Sequence, residues 1–190
     1  MVDYNNMSTY EILDLIKNDW RNLKLIEKQN DEMCLIAISQ HKDALMYVKN
    51  QNQNICMESV KYNGMSLGHV IESNHEIDME AVKQNGLALI YATNQTHEMC
   101  LEAVKQNGLA LEFVMDATYE IYLAAVIQNG YAIKYVVDKT HDICMEAIKQ
   151  NRKALKYIDD PTNDILLEVL KKGNPLSCVN DYNDMHEYFN

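Results

Sequence analysis

Apolar and polar positions recur along this chain with a period of 22 residues. The phrase Lys-Gln-Asn-Gly at residues 83–86 returns at 105–108 and, as Ile-Gln-Asn-Gly, at 127–130. Extending this interval in both directions gives eight repeats, which begin at Ser8, Asn30, Asn52, Asn74, Thr96, Thr118, Thr140 and Thr162. Such a period indicates a stack in which each repeat buries its apolar face against its neighbours.

The first half of each repeat, whose positions we number from 1 to 22, has the pattern of an amphipathic α-helix. Position 1 is Ser, Asn or Thr throughout, and these residues favour helix N-caps because their side-chain oxygens accept hydrogen bonds from the first turn. Positions 4, 5, 6, 8 and 9 are mostly apolar and form one helical stripe, whereas positions 7 and 10 are commonly Glu and Lys. We interpret the Asn-Gly pair at positions 12 and 13 as the helix stop, with Gly in the left-handed conformation.

A second, shorter helix is predicted after the Gly. Positions 15, 16, 18 and 19 are apolar, as in Ala110, Leu111, Phe113 and Val114, which suits two turns of helix, part of them 3₁₀. A leucine-rich repeat, with a strand in this place, also has a period that includes 22 residues. Helix is favoured over this alternative because Ala occupies position 15 in five repeats.

The sequence therefore predicts an all-α fold, an α-solenoid of eight 22-residue helical-hairpin repeats with divergent capping units. Residues 1–190 form one repeat domain in this interpretation, and residues 184–190 form a C-terminal tail. The first repeat carries Trp20 in place of Gly, and the last contains Gly173, Asn174 and Pro175, so both are interpreted as caps.

Charge and composition exclude some partners. The net charge of −11 disfavours nucleic acid and anionic membrane surfaces, which require clustered Lys and Arg. The chain lacks a run of 18 apolar residues and does not begin with a signal-peptide pattern, so we expect an intracellular protein without a membrane segment. Polar end repeats would oppose end-to-end growth, so a monomer is favoured over an oligomer.

Candidate chemical groups follow the repeat rather than any known site motif. Position 5 holds Cys34, Cys56, Cys100 and Cys144, whose spacings of 22 or 44 residues do not suit a zinc site, so we interpret them as buried hydrophobes. Position 2 holds His75, His97 and His141, interpreted as solvated first-turn residues. Asp78 occupies position 5 of repeat 4 and would require a partner if buried. With no catalytic motif apparent, we expect no enzyme activity, metal or cofactor.

Repeats that break their own pattern suggest contact surfaces. In repeat 6, Ala124 and Ile127 replace the usual Glu and Lys, and Tyr119 and Tyr122 lie nearby in sequence. Loss of charge from an outer helix face is typical of a contact patch. Further candidates are Ile90 at position 17 and an apolar row at position 20, which contains Ile71, Met115 and Val137. The alternatives are unconstrained drift or, for position 20, additional core.

The run from Thr96 to Val114 resembles the repeat family catalogued as domain of unknown function 4116, which is abundant in mimivirus-like giant viruses of amoebae. The resemblance is strongest between Asn30 and Pro161. The family has no established activity, so the resemblance implies context only: a viral protein in the host cytoplasm. The leading hypothesis is a non-enzymatic protein–protein interaction scaffold that binds a host factor of unknown identity. The alternatives are a structural or self-assembly protein and a small-ligand-binding protein.

Overall fold

A computed structural model describes residues 7–171 and divides the chain into two compact halves, Met1–Asn94 and Gln95–Asn190. The predicted C-terminal tail (184–190), Gly173 to Pro175 and Cys178 lie outside the described residues. Eight α-helices, α1 to α8, span Thr9–Asn18, Asp31–Gln40, Gln53–Tyr62, His75–Gln84, His97–Gln106, Tyr119–Gln128, His141–Gln150 and Asn163–Lys171. Seven 3₁₀ helices span Trp20–Leu25, Lys42–Tyr47, Gly64–His69, Gly86–Tyr91, Gly108–Phe113, Gly130–Tyr135 and Arg152–Tyr157.

The fold is an all-helical repeat with the predicted period, a regular array of α-helix and 3₁₀-helix pairs. No strand occurs between residues 7 and 171, so the leucine-rich alternative is wrong. The second helix of every described pair is 3₁₀ along its whole length of six residues, where we expected this geometry in part only. None of the described helices combines the length and hydropathy required to cross a membrane.

The predicted N-caps begin the α-helices. Six of them accept a hydrogen bond from the backbone N–H three residues further on: Ser8, Asn30, Asn52, Asn74, Thr96 and Thr118. Ser8 completes a capping box with Glu11, whose carboxylate accepts from the Ser8 backbone N–H at 2.8 Å. Thr140 departs from the prediction, because its buried hydroxyl makes no cap hydrogen bond.

The Asn at position 12 connects the two helices of a repeat. In repeat 5 the Asn107 backbone N–H donates to the Ala103 carbonyl at 2.9 Å and closes α5. The Asn107 side-chain oxygen accepts from the Leu109 N–H at 3.0 Å and caps the 3₁₀ helix. The same side-chain cap occurs at Asn63, Asn85, Asn129 and Asn151. One residue therefore ends the first helix and begins the second.

The predicted left-handed glycine is wrong. In the repeats that carry the Asn-Gly pair, the residue that ends the α-helix is the Asn, in extended conformation with φ near −150°, and the Gly after it is the first residue of the 3₁₀ helix. Glycine is required there because the next repeat approaches closely. A Cβ on Gly108 would lie well inside 3.0 Å of the Ala125 carbonyl oxygen, and the Gly108 N–H donates to the Gln128 side chain at 2.6 Å.

The core runs between successive repeats. In repeat 5 it contains Met99, Cys100, Ala103, Val104 and Leu111, all of which are at most 3% exposed. The same positions are buried in most of the other described repeats. Trp20, which replaces the Gly in repeat 1, stacks on the His41 ring with centroids 4.6 Å apart.

Glutamine at position 22 connects neighbouring repeats through its side-chain amide. The Gln51 Nε2 donates to the carbonyls of Leu45, in its own repeat, and His69, in the next, at 3.2 and 2.9 Å. Its Oε1 accepts from the Ile71 N–H at 3.0 Å. Gln29 makes the same three bonds. Gln95 bonds the Phe113 carbonyl and the Met115 N–H in the same way. We call this arrangement the glutamine bridge.

We expect Gln51→Ala to lower the free energy of unfolding by about 2 kcal/mol, because three backbone groups lose their partner at once. Urea unfolding followed by circular dichroism measures the change. The control is Gln53→Ala, since Gln53 is an exposed residue on the first turn of α3. Equal stability of the two variants would show that the bridge contributes nothing.

Candidate functional site

A cavity lies where the glutamine bridge is missing. Position 22 of repeat 5 is Ala117, whose side chain ends at Cβ. Beside it is a space of about 180 Å³, lined by Leu111, Glu112, Val114, Met115, Ala117, Tyr122, Tyr135 and Val137. All of these residues belong to the C-terminal half. We call this space the Ala117 cavity.

The backbone groups that a bridge would bind are present around the Ala117 cavity. By their positions in the repeat they are the carbonyls of Leu111 and Tyr135 and the N–H of Val137. The Leu111 carbonyl accepts one hydrogen bond, from the Val114 N–H at 3.2 Å. In the part of the chain that the structure describes, the Tyr135 carbonyl and the Val137 N–H make no hydrogen bond to another residue. The cavity therefore offers two acceptors and one donor.

The rim of the cavity is apolar on one side and charged on the other. Met115 is 69% exposed and Val137 is 87% exposed, values unusual for large apolar side chains. On the charged side, the Tyr135 hydroxyl donates to the Glu112 carboxylate at 2.6 Å. The Lys134 ammonium lies 4.3 Å from the centroid of the Tyr135 ring, and the Tyr135 hydroxyl raises the pKa of Lys134.

The structure divides the predicted contact residues among separate surfaces. Met115, Tyr122 and Val137 line the Ala117 cavity. Ile127 is 53% exposed but does not line it, because five residues of α-helix rotate it by about 140° from Tyr122. Ala124, half-buried, and Tyr119, exposed, do not line it either.

In other repeats, charge pairs occupy the positions equivalent to Ala124 and Ile127 of repeat 6. Glu146 and Lys149 pair at 3.4 Å in repeat 7, whereas Ala124 and Ile127 leave this face of α6 uncharged. Ile71 and Ile90 belong to the N-terminal half and are 76% and 48% exposed. The alternative that position 20 adds to the core is wrong for Ile71, Met115 and Val137, since all three are exposed.

Other bridge positions without glutamine are filled differently. At the junction of repeats 3 and 4, the Ser73 hydroxyl hydrogen-bonds to Asp78, which is 2% exposed and so has the partner that its burial requires. At the junction of repeats 6 and 7, the Lys139 ammonium lies 4.0 Å from the Asp159 carboxylate, beside a second cavity of about 260 Å³. The Ala117 cavity differs because the residue at its position 22 carries no polar side chain.

The position 5 cysteines are buried, as predicted, and reduced. Burial raises the pKa of the Cys34 thiol to about 11, and it raises the pKa of Cys56, Cys100 and Cys144 in the same direction. A cysteine reacts as a nucleophile or binds a metal as its thiolate, and a raised pKa keeps the thiol protonated. These cysteines are therefore suited to packing in the core rather than to chemistry. No group of three His, Cys, Asp or Glu residues between 7 and 171 is arranged to hold a metal ion.

Two of the three histidines at position 2 pair with the acidic position 3 of the following repeat. His97 Nε2 lies 3.2 Å from Glu120, and His141 Nε2 lies 3.0 Å from Asp164. About half of each histidine side chain is exposed. These pairs form a solvated ladder along the helix starts, which agrees with the interpretation of the histidines as first-turn surface residues.

Comparison with known families supports the repeat assignment. The family described as Domain of unknown function (DUF4116) matches residues 79–117 and residues 118–161 as two adjacent hits. The segment 79–161 therefore consists of DUF4116 repeats. The second match covers repeats 6 and 7 completely, so one DUF4116 unit corresponds to two 22-residue repeats. No curated protein and no solved structure matches the chain.

The DUF4116 matches begin at residue 79 and so cover less of the chain than the resemblance, which extends to Asn30. The two matches meet at the candidate site. Ala117 is the last residue of the first match. Leu111 and Met115 line the cavity from the first match, and Tyr122 and Val137 line it from the second. The Ala117 cavity therefore lies between two adjacent DUF4116 units.

Three residues of this site were predicted from the sequence, Tyr122 beside the altered positions of repeat 6 and Met115 and Val137 in the apolar row at position 20, but the cavity was not. Position 22 was assigned no role. The available signal was the recurrence of Gln at residues 29, 51 and 95 together with its absence at residue 117.

Proposed function

We propose that this chain is a non-enzymatic protein–protein interaction scaffold that binds its partner through the surface around the Ala117 cavity. The observation that carries the proposal is the exposure of Met115 and Val137 at the rim of a concave site. Contiguous exposed apolar side chains beside a depression are typical of interaction sites.

The size of the cavity favours a protein partner over a small-molecule ligand. Pockets for small molecules and cofactors have volumes of roughly 300–1,000 Å³. The Ala117 cavity, at about 180 Å³, suits a single side chain of a partner. The net charge of −11 favours a partner whose contact surface combines apolar and basic residues. A viral origin and a host factor as partner are hypotheses that rest on the resemblance of the repeats.

Affinity capture with the full chain as bait tests the proposal. We expect Val137→Glu and Met115→Glu to weaken retention of the partner about tenfold or more, since each places a charge on the apolar rim. Both side chains are exposed, so the fold should tolerate the changes. Quantitative mass spectrometry of the retained proteins measures the effect.

Two matched controls place an equal charge elsewhere. Ile127→Glu alters the opposite side of α6, and Ile71→Glu alters the N-terminal half. Capture that is unaffected by the rim variants, or equally weakened by all four variants, contradicts binding at this surface. Light scattering over a concentration series addresses the self-assembly alternative: a mass that rises with concentration would favour it, whereas we expect a monomer.

A further inference from the structure

We propose that the Ala117 cavity binds the side-chain carboxamide of a glutamine that the partner protein inserts from outside. This inference rests on the proposed function, because it assumes that the surface around the cavity meets another protein. It specifies the chemistry of the contact: a primary amide of the partner takes the place of the position 22 glutamine side chain that repeat 5 lacks.

The chain itself shows how an amide binds at this position. The Gln29 Nε2 donates to the carbonyls of Leu23 and Tyr47, both at 2.9 Å, and its Oε1 accepts from the Lys49 N–H at 2.9 Å. Gln51 uses the equivalent three groups at 2.9 to 3.2 Å. The two carbonyls and the N–H that bind the amide are backbone groups, and the Cys34 thiol adds a contact to the Gln29 amide oxygen at 3.9 Å.

The same backbone groups surround the Ala117 cavity. The Tyr135 carbonyl corresponds to that of Tyr47, the Val137 N–H to that of Lys49, and the Leu111 carbonyl to that of Leu23. Neither the Tyr135 carbonyl nor the Val137 N–H has a protein partner in the described structure. A binding site for a carboxamide is therefore formed and left without its amide.

The donor and acceptor pattern selects a primary amide among the natural side chains. Two carbonyl acceptors require two N–H donors on one group, and the Val137 N–H requires an acceptor on the same group. A carboxylate has no donors for the carbonyls, and an ammonium has no acceptor for the N–H. The carboxamide of Gln or Asn supplies both, and Gln has the longer side chain with which to reach the groups from outside.

The residues beside the amide site also differ from those of the bridged junctions. Where a bridge is present, the position 5 cysteine lies against the amide oxygen, as with Cys56 and Gln51 at 3.8 Å. At the Ala117 cavity this residue is Tyr122, which lines the space. An aromatic ring offers a face on which a planar amide can lie while its N–H groups donate to the two carbonyls.

The rim favours a polypeptide as the source of the amide over free glutamine. Free glutamine carries an α-carboxylate, and the charged residue that lines the cavity is Glu112, itself anionic. No Lys or Arg lines the cavity itself, and the Lys134 ammonium at its rim lies against the Tyr135 ring. Within a polypeptide the α-carboxylate is replaced by a neutral peptide group, and the flanking residues can contact Met115 and Val137.

Propionamide, the analogue of a glutamine side chain, tests the chemistry of the cavity directly. In a nitrogen–proton NMR titration of the full chain, we expect propionamide to move the Val137 amide proton downfield with saturation, because that N–H gains an acceptor. Propionate, which has the same shape but no N–H donors, should leave it unchanged. A Val137 response that is absent, or equal for both compounds, overturns the inference.

Two variants test whether Val137 responds to propionamide because repeat 5 has no glutamine at position 22. In Ala117→Gln the chain would supply its own amide, so the Val137 response to propionamide should be lost and Tm should rise by about 2–4 °C. Gln95→Ala should create a second site, so that the Met115 N–H, which now donates to Gln95 at 3.0 Å, becomes responsive to propionamide. Persistence of the Val137 response in Ala117→Gln would contradict the assignment.

The source of the amide is tested with N-acetyl-glutamine methylamide and free L-glutamine in the same titration. We expect saturation of the Val137 shift by the blocked residue at a lower concentration than by the free amino acid, and the reverse order would contradict a polypeptide source. Capture of the partner should be lost with Ala117→Gln. If Ala117→Gln retains a partner that Val137→Glu loses, the carboxamide inference fails while the scaffold function stands. If the Val137 response to propionamide is as expected but no protein is captured, the proposed scaffold function fails.

Discussion

Gly108→Ala should lower the free energy of unfolding by about 3 kcal/mol, a large effect for the addition of one methyl group. The added Cβ would collide with the backbone oxygen of Ala125, which cannot rotate away as a side chain could. Relief would require the Tyr119–Gln128 helix to move off repeat 5. That movement would break the hydrogen bond from the Gly108 N–H to Gln128 and loosen the core between the two repeats.

Gly68→Ala is the matched control for this prediction. Its Cβ would also meet a neighbour, but the atoms involved are those at the end of the Tyr91 ring, which is 43% exposed and can swing outward. We expect a cost of less than about 1 kcal/mol there. Urea unfolding of both variants measures the difference. Equal losses of unfolding free energy in the two variants would show that the Ala125 carbonyl leaves room for a Cβ at residue 108.

We expect this large cost of a Gly→Ala substitution at junctions where the Gly donates a hydrogen bond to a Gln of the next repeat. Gly64, Gly108 and Gly130 each donate to a glutamine at position 11 of the next repeat, at 2.6 to 2.7 Å. Repeat 2 has Lys42 at the glycine position, and the next repeat has Tyr62 in place of that glutamine. The two exchanges occur together at this junction. Repeat 1 instead has Trp20 at the glycine position and keeps Gln40 opposite it, and the Gln40 side-chain amide donates to the Ile16 carbonyl at 2.9 Å.

Features that depend on local sequence could be predicted. The N-cap residues placed the α-helix starts correctly because capping is a short-range hydrogen bond between residues three apart. The buried stripe could be predicted because it follows from the helical period. The position 12 Asn was recognised as a boundary, but its role as a cap for the following 3₁₀ helix was not.

Features that depend on contact between repeats could not be predicted. An Asn-Gly pair is typical of a left-handed helix end, and the same pair also suits a Gly that meets a neighbouring backbone. Only the position of the Ala125 carbonyl distinguishes the two explanations. The Ala117 cavity shows the same limit. Its polar groups are backbone atoms, which sequence does not reveal, and the significance of a missing Gln appears only once the contacts of Gln51 are known.

Removing one repeat should preserve the fold, whereas removing half a repeat should abolish it. Deletion of residues 118–139 removes repeat 6 and joins Ala117 to Thr140. Repeat 7 then packs against repeat 5, and the Gly108 N–H meets Gln150, the residue that now accepts from Gly130 at 2.7 Å. Ala147 takes the place of Ala125 opposite the glycine. The new junction therefore keeps the glycine contacts of the one it replaces.

Deletion of residues 118–128 removes half as much chain and should be far more harmful. It takes away α6 and leaves the 3₁₀ helix Gly130–Tyr135 directly after repeat 5. Gly108 then loses its partner, and the buried face of repeat 5, including Val104 and Leu111, loses the helix that covers it. Because stability in such arrays is a sum over neighbouring interfaces, a broken junction also separates the repeats on either side.

Circular dichroism and urea unfolding distinguish the two deletions. We expect the 118–139 variant to keep its helical signal per residue and to unfold cooperatively at a lower urea concentration, because one interface is lost. The 118–128 variant should have a reduced helical signal and no sharp transition. The larger deletion should therefore cause the smaller loss of stability. This order follows from the phase of the repeat, and it is the reverse of the order expected from the number of residues removed. If the two variants are equally stable, the repeat boundaries at Thr118 and Thr140 are wrong.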